Sequence, residues 1–334
     1  KSIDLSLHSY LGLNQNKQLK LITSQVINEF GCGIFRGLTT YHKKTEDILK
    51  AIYQFPTCYT LSGDGNSFVI PLMVGKGDAI FVDVEAKTSI KDGSELSNAT
   101  VYYYSHNDPI SLESCLLKAN QEVPNGKKLV VIEGVYKISG DVAKLNEFIP
   151  IAKKYDATIL VDESHALGVL GARGRGSLEQ FNVREGVDII TGSLEYSLCS
   201  NGSYFLLNKQ LTQQFSGFIS INDTITPLSA AIASTTLDIL RQDTKMIEQL
   251  KSNISWWRTN CQQNGIELID STSSITAIKI DDENVLLNLQ KRLFEEGLNV
   301  MVSTSPYGLL KFILSASLTE DLLEKAMNIL LHVL

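Results

Sequence analysis

The most specific segment of the chain is Val161-Asp162-Glu163-Ser164-His165-Ala166-Leu167-Gly168-Val169-Leu170-Gly171, followed by Arg173-Gly174-Arg175-Gly176. A carboxylate closing an apolar run, with an imidazole three residues on, can hold a positive charge and set a proton donor beside it. Read by themselves, Asp162 and His165 more simply cap the turn that follows a strand. Gly168, Gly171, Gly174 and Gly176 serve backbone turns, and so fold and interface. The five cysteines (Cys32, Cys58, Cys115, Cys199 and Cys261) are scattered, with no Cys-x-x-Cys pair and no His/Cys cluster. They predict no metal site and a reducing compartment.

The elements that must position these residues follow from pattern. Ala79–Val82, Thr100–Tyr104, Lys128–Glu133, Ala157–Asp162 and Val187–Thr191 read as short apolar strands. Helical spacing recurs between them, at Leu112–Asn120 and Leu145–Tyr155. Strands of this kind separated by helices predict a parallel sheet covered on both faces. Ligands of such sheets sit past the carboxyl ends of the strands, and Lys137, Asp162 and His165 fall there. After Thr226-Pro227 the pattern changes. Leu228–Arg241 and Met246–Gln263 read as helices, Ile275–Ile280 as a half-exposed strand, and Val285–Glu296 as a helix capped by Gly297. Leu309–Leu314 and Thr319–Leu334 follow as strand and helix. The division expected is an N-terminal arm over 1–30, a large domain over 31–228 and a small α+β domain over 229–334.

Composition narrows the functions. At 334 residues the chain suits a large domain plus a smaller one. A net charge of −7 without a Lys/Arg cluster argues against nucleic acid. No apolar run is long enough to span a bilayer, and the first residues do not read as a signal peptide. A cytoplasmic or cytosol-facing place is expected, or one at the endoplasmic reticulum if an anchor precedes Lys1.

The Asp162 segment resembles the D-E-(A/S)-H-x-x-G-x-x-G-x-x-G-R-G signature of the pyridoxal-phosphate-dependent α-oxoamine synthases, which include serine palmitoyltransferase and 8-amino-7-oxononanoate synthase. The likeness runs from Ser9-Tyr10-Leu11-Gly12-Leu13, through Glu133–Tyr136, Gly140-Asp141 and Gly192–Tyr204, to Ser315-Ala316. It implies an α/β fold-type-I transferase: a large domain with a mainly parallel seven-stranded sheet and a small C-terminal α+β domain. It also implies that Asp162 faces the pyridine nitrogen of the cofactor, keeping it protonated, and that His165 donates to the ring's phenolic oxygen.

The resemblance breaks where covalent chemistry is done. Active members read D-I-x-x-G-T-F-S-K-(A/S)-L-x-S-x-G-G-Y where this chain has Asp188–Tyr204. Tyr196 takes the lysine's place, Glu195 that of the serine before it, and Ser193 keeps its hydroxyl. A phenol cannot form an imine. Other positions differ as well. Lys87 stands where the family has a cofactor-stacking histidine, and Lys137 where it has a serine. Asp64 stands roughly at the phosphate-side aromatic, and Asn222 at a phosphate-binding threonine. Lys311 replaces a substrate-carboxylate arginine and loses its bidentate fork. With His8, Lys311 marks the substrate side. The N-terminal glycine-rich loop is shortened to Gly31–Gly37.

The resemblance therefore implies a pseudoenzyme subunit with no covalently bound pyridoxal phosphate. It is expected to form a homodimer, or a heterodimer with a lysine-bearing homologue, as the first long-chain-base subunit of eukaryotic serine palmitoyltransferase does. Pyridoxal phosphate would then sit in the partner's site or at a shared interface, with Arg173 and Arg175 near the subunit boundary. A divergent catalytic acyl-CoA:amino acid C-acyltransferase using Lys87 or Lys137, and a stand-alone ligand-binding homodimer, remain as alternatives.

Overall fold

The computed structural model describes residues 2–31, 37–215 and 224–334. The strands are β1 (Ile3–Leu5), β2 (Thr57–Leu61), β3 (Ala79–Asp83), β4 (Thr100–Tyr104), β5 (Lys128–Glu133), β6 (Thr158–Asp162), β7 (Ile189–Ser193), β8 (Ser203–Leu207), β9 (Ile275–Lys279), β10 (Leu298–Ser303) and β11 (Leu309–Ile313). The helices are α1 (Lys17–Phe30), α2 (Thr40–Tyr53), α3 (Gly65–Met73), α4 (Thr88–Ser97), α5 (Pro109–Glu122), α6 (Leu145–Lys154), α7 (Ser177–Phe181), α8 (Lys209–Phe215), α9 (Pro227–Gln242), α10 (Lys245–Gln263), α11 (Glu283–Glu295) and α12 (Glu320–Val333).

Seven strands form the larger sheet in the order β2-β8-β7-β6-β5-β3-β4. Only β8 runs against the others, pairing antiparallel with both β2 and β7. The expected mainly parallel sheet is therefore present, and its residue types explain it. Along the central strands, Phe81, Val130, Ile132, Ile159, Val161 and Ile190 enter one buried cluster. Their neighbours Ile80, Val82, Leu129, Val131, Leu160 and Ile189 enter the other. Both faces are dry, so the strands carry no polar alternation. Each such side chain contributes about 1.5–3 kcal/mol by burial.

A second sheet has the order β1-β10-β11-β9. Its first strand comes from the other end of the chain: Ile3 pairs with Leu298 and Leu5 with Val300, in parallel. The expected arm thus contributes a strand to the C-terminal sheet, which has four strands rather than two. A three-residue strand is too short to show alternation, and its partner lies almost the whole chain away. Helix α9 packs against α1 and α2, and α10 packs against α12 and, through Trp257 on Phe312, against β11. Thr226 caps α9 by accepting from Ser229 N, and Pro227 occupies its first turn, where a missing N–H costs nothing. Among the described residues, no helix is long and apolar enough to cross a membrane.

Candidate functional site

The carboxyl ends of β5, β6 and β7 bring Glu133, Asp162 and Ser193 side by side, with the N-termini of α3 and α4 facing them. Asp162 is buried. Its Oδ2 accepts from Lys87 Nζ at 2.7 Å and from Asn66 Nδ2 at 2.6 Å, and its Oδ1 accepts from Ser164 N at 2.9 Å. The Thr191 hydroxyl donates to Asn66 Oδ1 at 2.7 Å and lies 3.2 Å from Asp162 Oδ2. Burial alone would raise the Asp162 pKa, but Lys87 and these donors hold it below the ordinary carboxylate value.

Lys87 is the residue before α4, and its ammonium reaches into the pocket to Asp162 and to Ser164 Oγ at 3.1 Å. Burial would lower its pKa, but Asp162, Glu133 and Asp64 outweigh burial and raise it above the ordinary lysine value. The neighbouring Glu133 accepts from Lys87 N and is pushed up by burial to about 7. Asp64 caps α3: its Oδ1 accepts from Asn66 N at 2.8 Å and Ser67 N at 3.2 Å. The helix N-terminus, with its free N–H groups and positive end of the dipole, already holds a carboxylate.

An aromatic group closes the other side. Tyr196 stacks on His165, with ring centroids 4.2 Å apart and an interplanar angle of 23°. The Tyr10 hydroxyl lies 2.6 Å from His165 Nδ1. Burial holds His165 well below its ordinary pKa, so it is neutral, and its Nε2 has no partner among the described residues. His8 lies 5.5 Å from the Tyr196 ring and 5.4 Å from His165. Burial, then Lys311 and Lys137, lower its pKa to about 4. Lys311 is buried and donates to the Lys137 and Ile138 carbonyls at 2.8 and 3.2 Å. Burial and Lys137 bring its pKa down to about 8. Lys137 itself is exposed. Ser193 Oγ accepts from Glu195 N at 3.0 Å.

The glycine run beyond His165 forms a tight loop. Gly168 N donates to Gly174 O at 2.7 Å, and Leu167 bridges Arg175. All four glycines have positive φ, from 67° to 88°. A Cβ on Gly174 would meet Ile247 at 2.6 Å, so the motif here demands glycine. The loop is tied to α7 by Glu179, whose Oε2 accepts from Arg173 N and Arg175 N. Glu163, expected only as part of the signature, is buried and binds Ser177 by backbone and side chain.

The structure thus gathers Asp162, His165, Lys87, Ser193, Tyr196, His8 and Lys311 around one site, with Lys137 at its rim, while Arg173 and Arg175 stand apart on the loop. Asn66 and Tyr10 were not singled out as site residues in the sequence. Both lie in segments that match the family, the phosphate-side turn and the Ser9–Leu13 motif, and that is the signal that marks them. Of the expected departures, Asn222 and the loop residues Cys32, Gly33, Ile34, Phe35 and Arg36 lie outside the described residues.

These residues do not fit pyridoxal phosphate. The carboxylate for the pyridinium is paired to Lys87, the helix N-terminus beside it is capped by Asp64, and Tyr196 offers no amine. The cavity they line, with Ser62, Gly63 and Glu195, has a volume of about 220 Å³.

Comparison with known proteins agrees with this fold. The model of the aminotransferase class I and II family matches residues 10–330. The 8-amino-7-oxononanoate synthase of Petrotoga mobilis is 31% identical over 92% of this chain and 81% of its own length. The serine palmitoyltransferase of Bacteroides ovatus is 28% identical over 96% and 84%. A lysine-to-alanine variant of serine palmitoyltransferase from S. paucimobilis, with bound PLP–myriocin aldimine, superposes with a TM-score of 0.93 at 25% identity, covering 99% of this chain and 87% of that one. The signature around Asp162, the seven-stranded sheet and these matches together make the chain a member of the α-oxoamine synthase family, within the pyridoxal-phosphate-dependent aminotransferase class I and II fold.

Proposed function

We propose that this chain is a non-catalytic subunit of an α-oxoamine synthase, supporting a lysine-bearing homologue that condenses an amino acid with an acyl-CoA. One observation carries the reading: the position of the imine-forming lysine holds Tyr196, a phenol whose ring stacks on His165. Two neighbouring lysines do not take its place: Lys87 is spent on Asp162 as an ammonium, and Lys137 is exposed. Serine is the amino acid we favour, on the strength of the serine palmitoyltransferase neighbours, which would place the complex in sphingolipid synthesis. The experiment is affinity capture of the tagged chain from its native source, with mass spectrometry of what accompanies it. A lysine-bearing homologue, and CoA release by the complex but not by the chain alone, is the expected result. CoA release by the purified chain alone overturns the proposal.

A second reading, a divergent acyltransferase, is favoured by Lys311. Its buried amine, with a pKa of about 8, is more readily deprotonated than that of Lys87. Borohydride reduction in the presence of pyridoxal phosphate, followed by peptide mapping, tests it: an adduct on Lys311 establishes that reading.

A further inference from the structure

The pocket has not merely lost groups that hold a cofactor. Its two charged anchor points are filled by the chain's own side chains. Asp162 is the anion suited to a pyridinium, and it holds the Lys87 ammonium at 2.7 Å. The amides of Asn66 and Ser67, at the start of α3, are the donors suited to a phosphate, and they hold the Asp64 carboxylate at 2.8 and 3.2 Å. The cation and the anion both line the same 220 Å³ cavity. Their fields reach one another, since Asp64 is among the groups that keep Lys87 protonated.

We infer that Lys87 and Asp64 act as an internal substitute for the charged ends of pyridoxal phosphate, and that they keep this pocket folded and closed to the cofactor. This rests on the reading of the site as non-catalytic and specifies how the empty role is filled. Absence of the lysine is not by itself enough to exclude the ligand, because a lysine-to-alanine variant of a relative holds a PLP–myriocin aldimine. The exclusion here has a physical cause. An entering pyridinium would displace an ammonium already desolvated against Asp162, leaving that ammonium without a counterion in a buried site. An entering phosphate dianion would meet the Asp64 carboxylate on the amides it needs.

The pairing also explains why the cavity does not collapse or destabilise the sheet. A buried Asp162 with no cation would be an uncompensated charge at the end of the central strand, and the first turn of α3 without a cap would leave orphan N–H groups. Lys87 and Asp64 satisfy both. Asn66 joins the two ends, since its amide nitrogen of the backbone binds Asp64 while its side chain binds Asp162.

The test uses pyridoxine 5′-phosphate, which has the charges of the cofactor but no aldehyde and so forms no imines with surface lysines. Binding is followed by calorimetry and by thermal melting. The wild-type chain is expected to show neither heat nor a melting shift. Asp64→Gly, a substitution tolerated at a helix N-cap, is expected to gain stabilisation by inorganic phosphate. Lys87→Ala is expected to melt lower and to be rescued by pyridoxine without phosphate. The double variant is expected to bind pyridoxine 5′-phosphate about tenfold to a hundredfold more tightly than either single variant, the scale of one charged hydrogen-bonding contact. If Lys87→Ala does not fold, Asp64→Gly with phosphate and the wild-type titration still decide. Micromolar binding by the wild-type chain, or an Asp64→Gly variant indifferent to phosphate, overturns the inference. Reversible binding of that kind leaves the non-catalytic reading standing. That reading fails separately, through a borohydride-trapped adduct with pyridoxal phosphate on a pocket lysine.

Discussion

The ring of Tyr196 lies nearly parallel to the imidazole of His165, 4.2 Å away. His165 Nδ1 also lies 2.6 Å from the Tyr10 hydroxyl, so the histidine that follows β6 is fixed by two tyrosines. Such an offset pair contributes about 0.5–1.5 kcal/mol beyond its buried area. Restoring the family's residue therefore removes packing as well as adding an amine. Tyr196→Lys should lower stability by about 1–2 kcal/mol. It should give no substrate-dependent CoA release, because Lys87 and Asp64 still fill the pocket. Thermal melting and a CoA-release assay check both parts. Turnover by this single variant would show that Tyr196 alone had silenced the site.

Lys87 and Asp162 form a desolvated pair, and the two halves should not behave independently. Removing one partner of a buried pair costs about 3–5 kcal/mol, while removing both is milder. Lys87→Met is therefore expected to destabilise by that amount, and Lys87→Met combined with Asp162→Asn by clearly less. Urea unfolding of the four proteins of this double-mutant cycle gives the coupling. Coupling near zero would mean that the contact is incidental to stability.

A half-buried histidine, His8, and a buried one, His165, predict a stability slope in acid. An unfolded histidine takes up a proton near pH 6.5, but His8 in the fold does so only near 4, and His165 is lowered also. As pH falls from 6.5 to 4, the unfolded chain binds protons that the fold refuses, so stability drops. Glu133, raised to about 7, acts with the opposite sign, losing stability as pH rises from about 4.5 to 7. The difference between the wild-type chain and His8→Gln isolates the histidine. Over that window the wild type should lose about 1–2 kcal/mol more than the variant, after allowance for the partial exposure of His8. Parallel stability curves for the two would refute it.

Most of the sheet could be read from the chain because its central strands are apolar on both faces. Runs such as Leu129–Ile132 and Ile159–Val161 have no other place to go. The edges were harder. β1 is three residues long, and its pairing with β10 depends on a segment some 295 positions away, near Leu298. The substitution of Tyr196 for the lysine was legible residue by residue, since it falls inside a matched motif. The contacts of Lys87 were not. A lysine at a helix start usually points to solvent, and only the fold brings its Nζ to Asp162. Asp64 likewise could be recognised as a change of charge, but its role as the cap of α3 depends on where that helix begins.

The loop from Gly168 to Gly176 keeps the family's glycines although the cofactor positions beside it have changed. Its backbone is held internally, by the Gly168–Gly174 hydrogen bond and by Glu179 on the amides of Arg173 and Arg175. The guanidinium groups are not needed for that. Arg173 is exposed and Arg175 partly so, so the loop presents two cations on a rigid frame. Charges placed in this way at an interface chiefly affect partner choice and association. The chain alone is expected to be a homodimer or poorly soluble, and a lysine-bearing homologue from the same source should convert it to a heterodimer. Arg173→Glu combined with Arg175→Glu should weaken that heterodimer about tenfold or more. The isolated chain should lose less than about 0.5 kcal/mol, as surface substitutions do. Light scattering of the chain, of the mixture and of the variant mixture measures the first two, and thermal melting the third. A variant that associates as tightly as the wild type would place the subunit boundary away from this loop, and a wild-type monomer indifferent to every such homologue would remove the subunit reading itself.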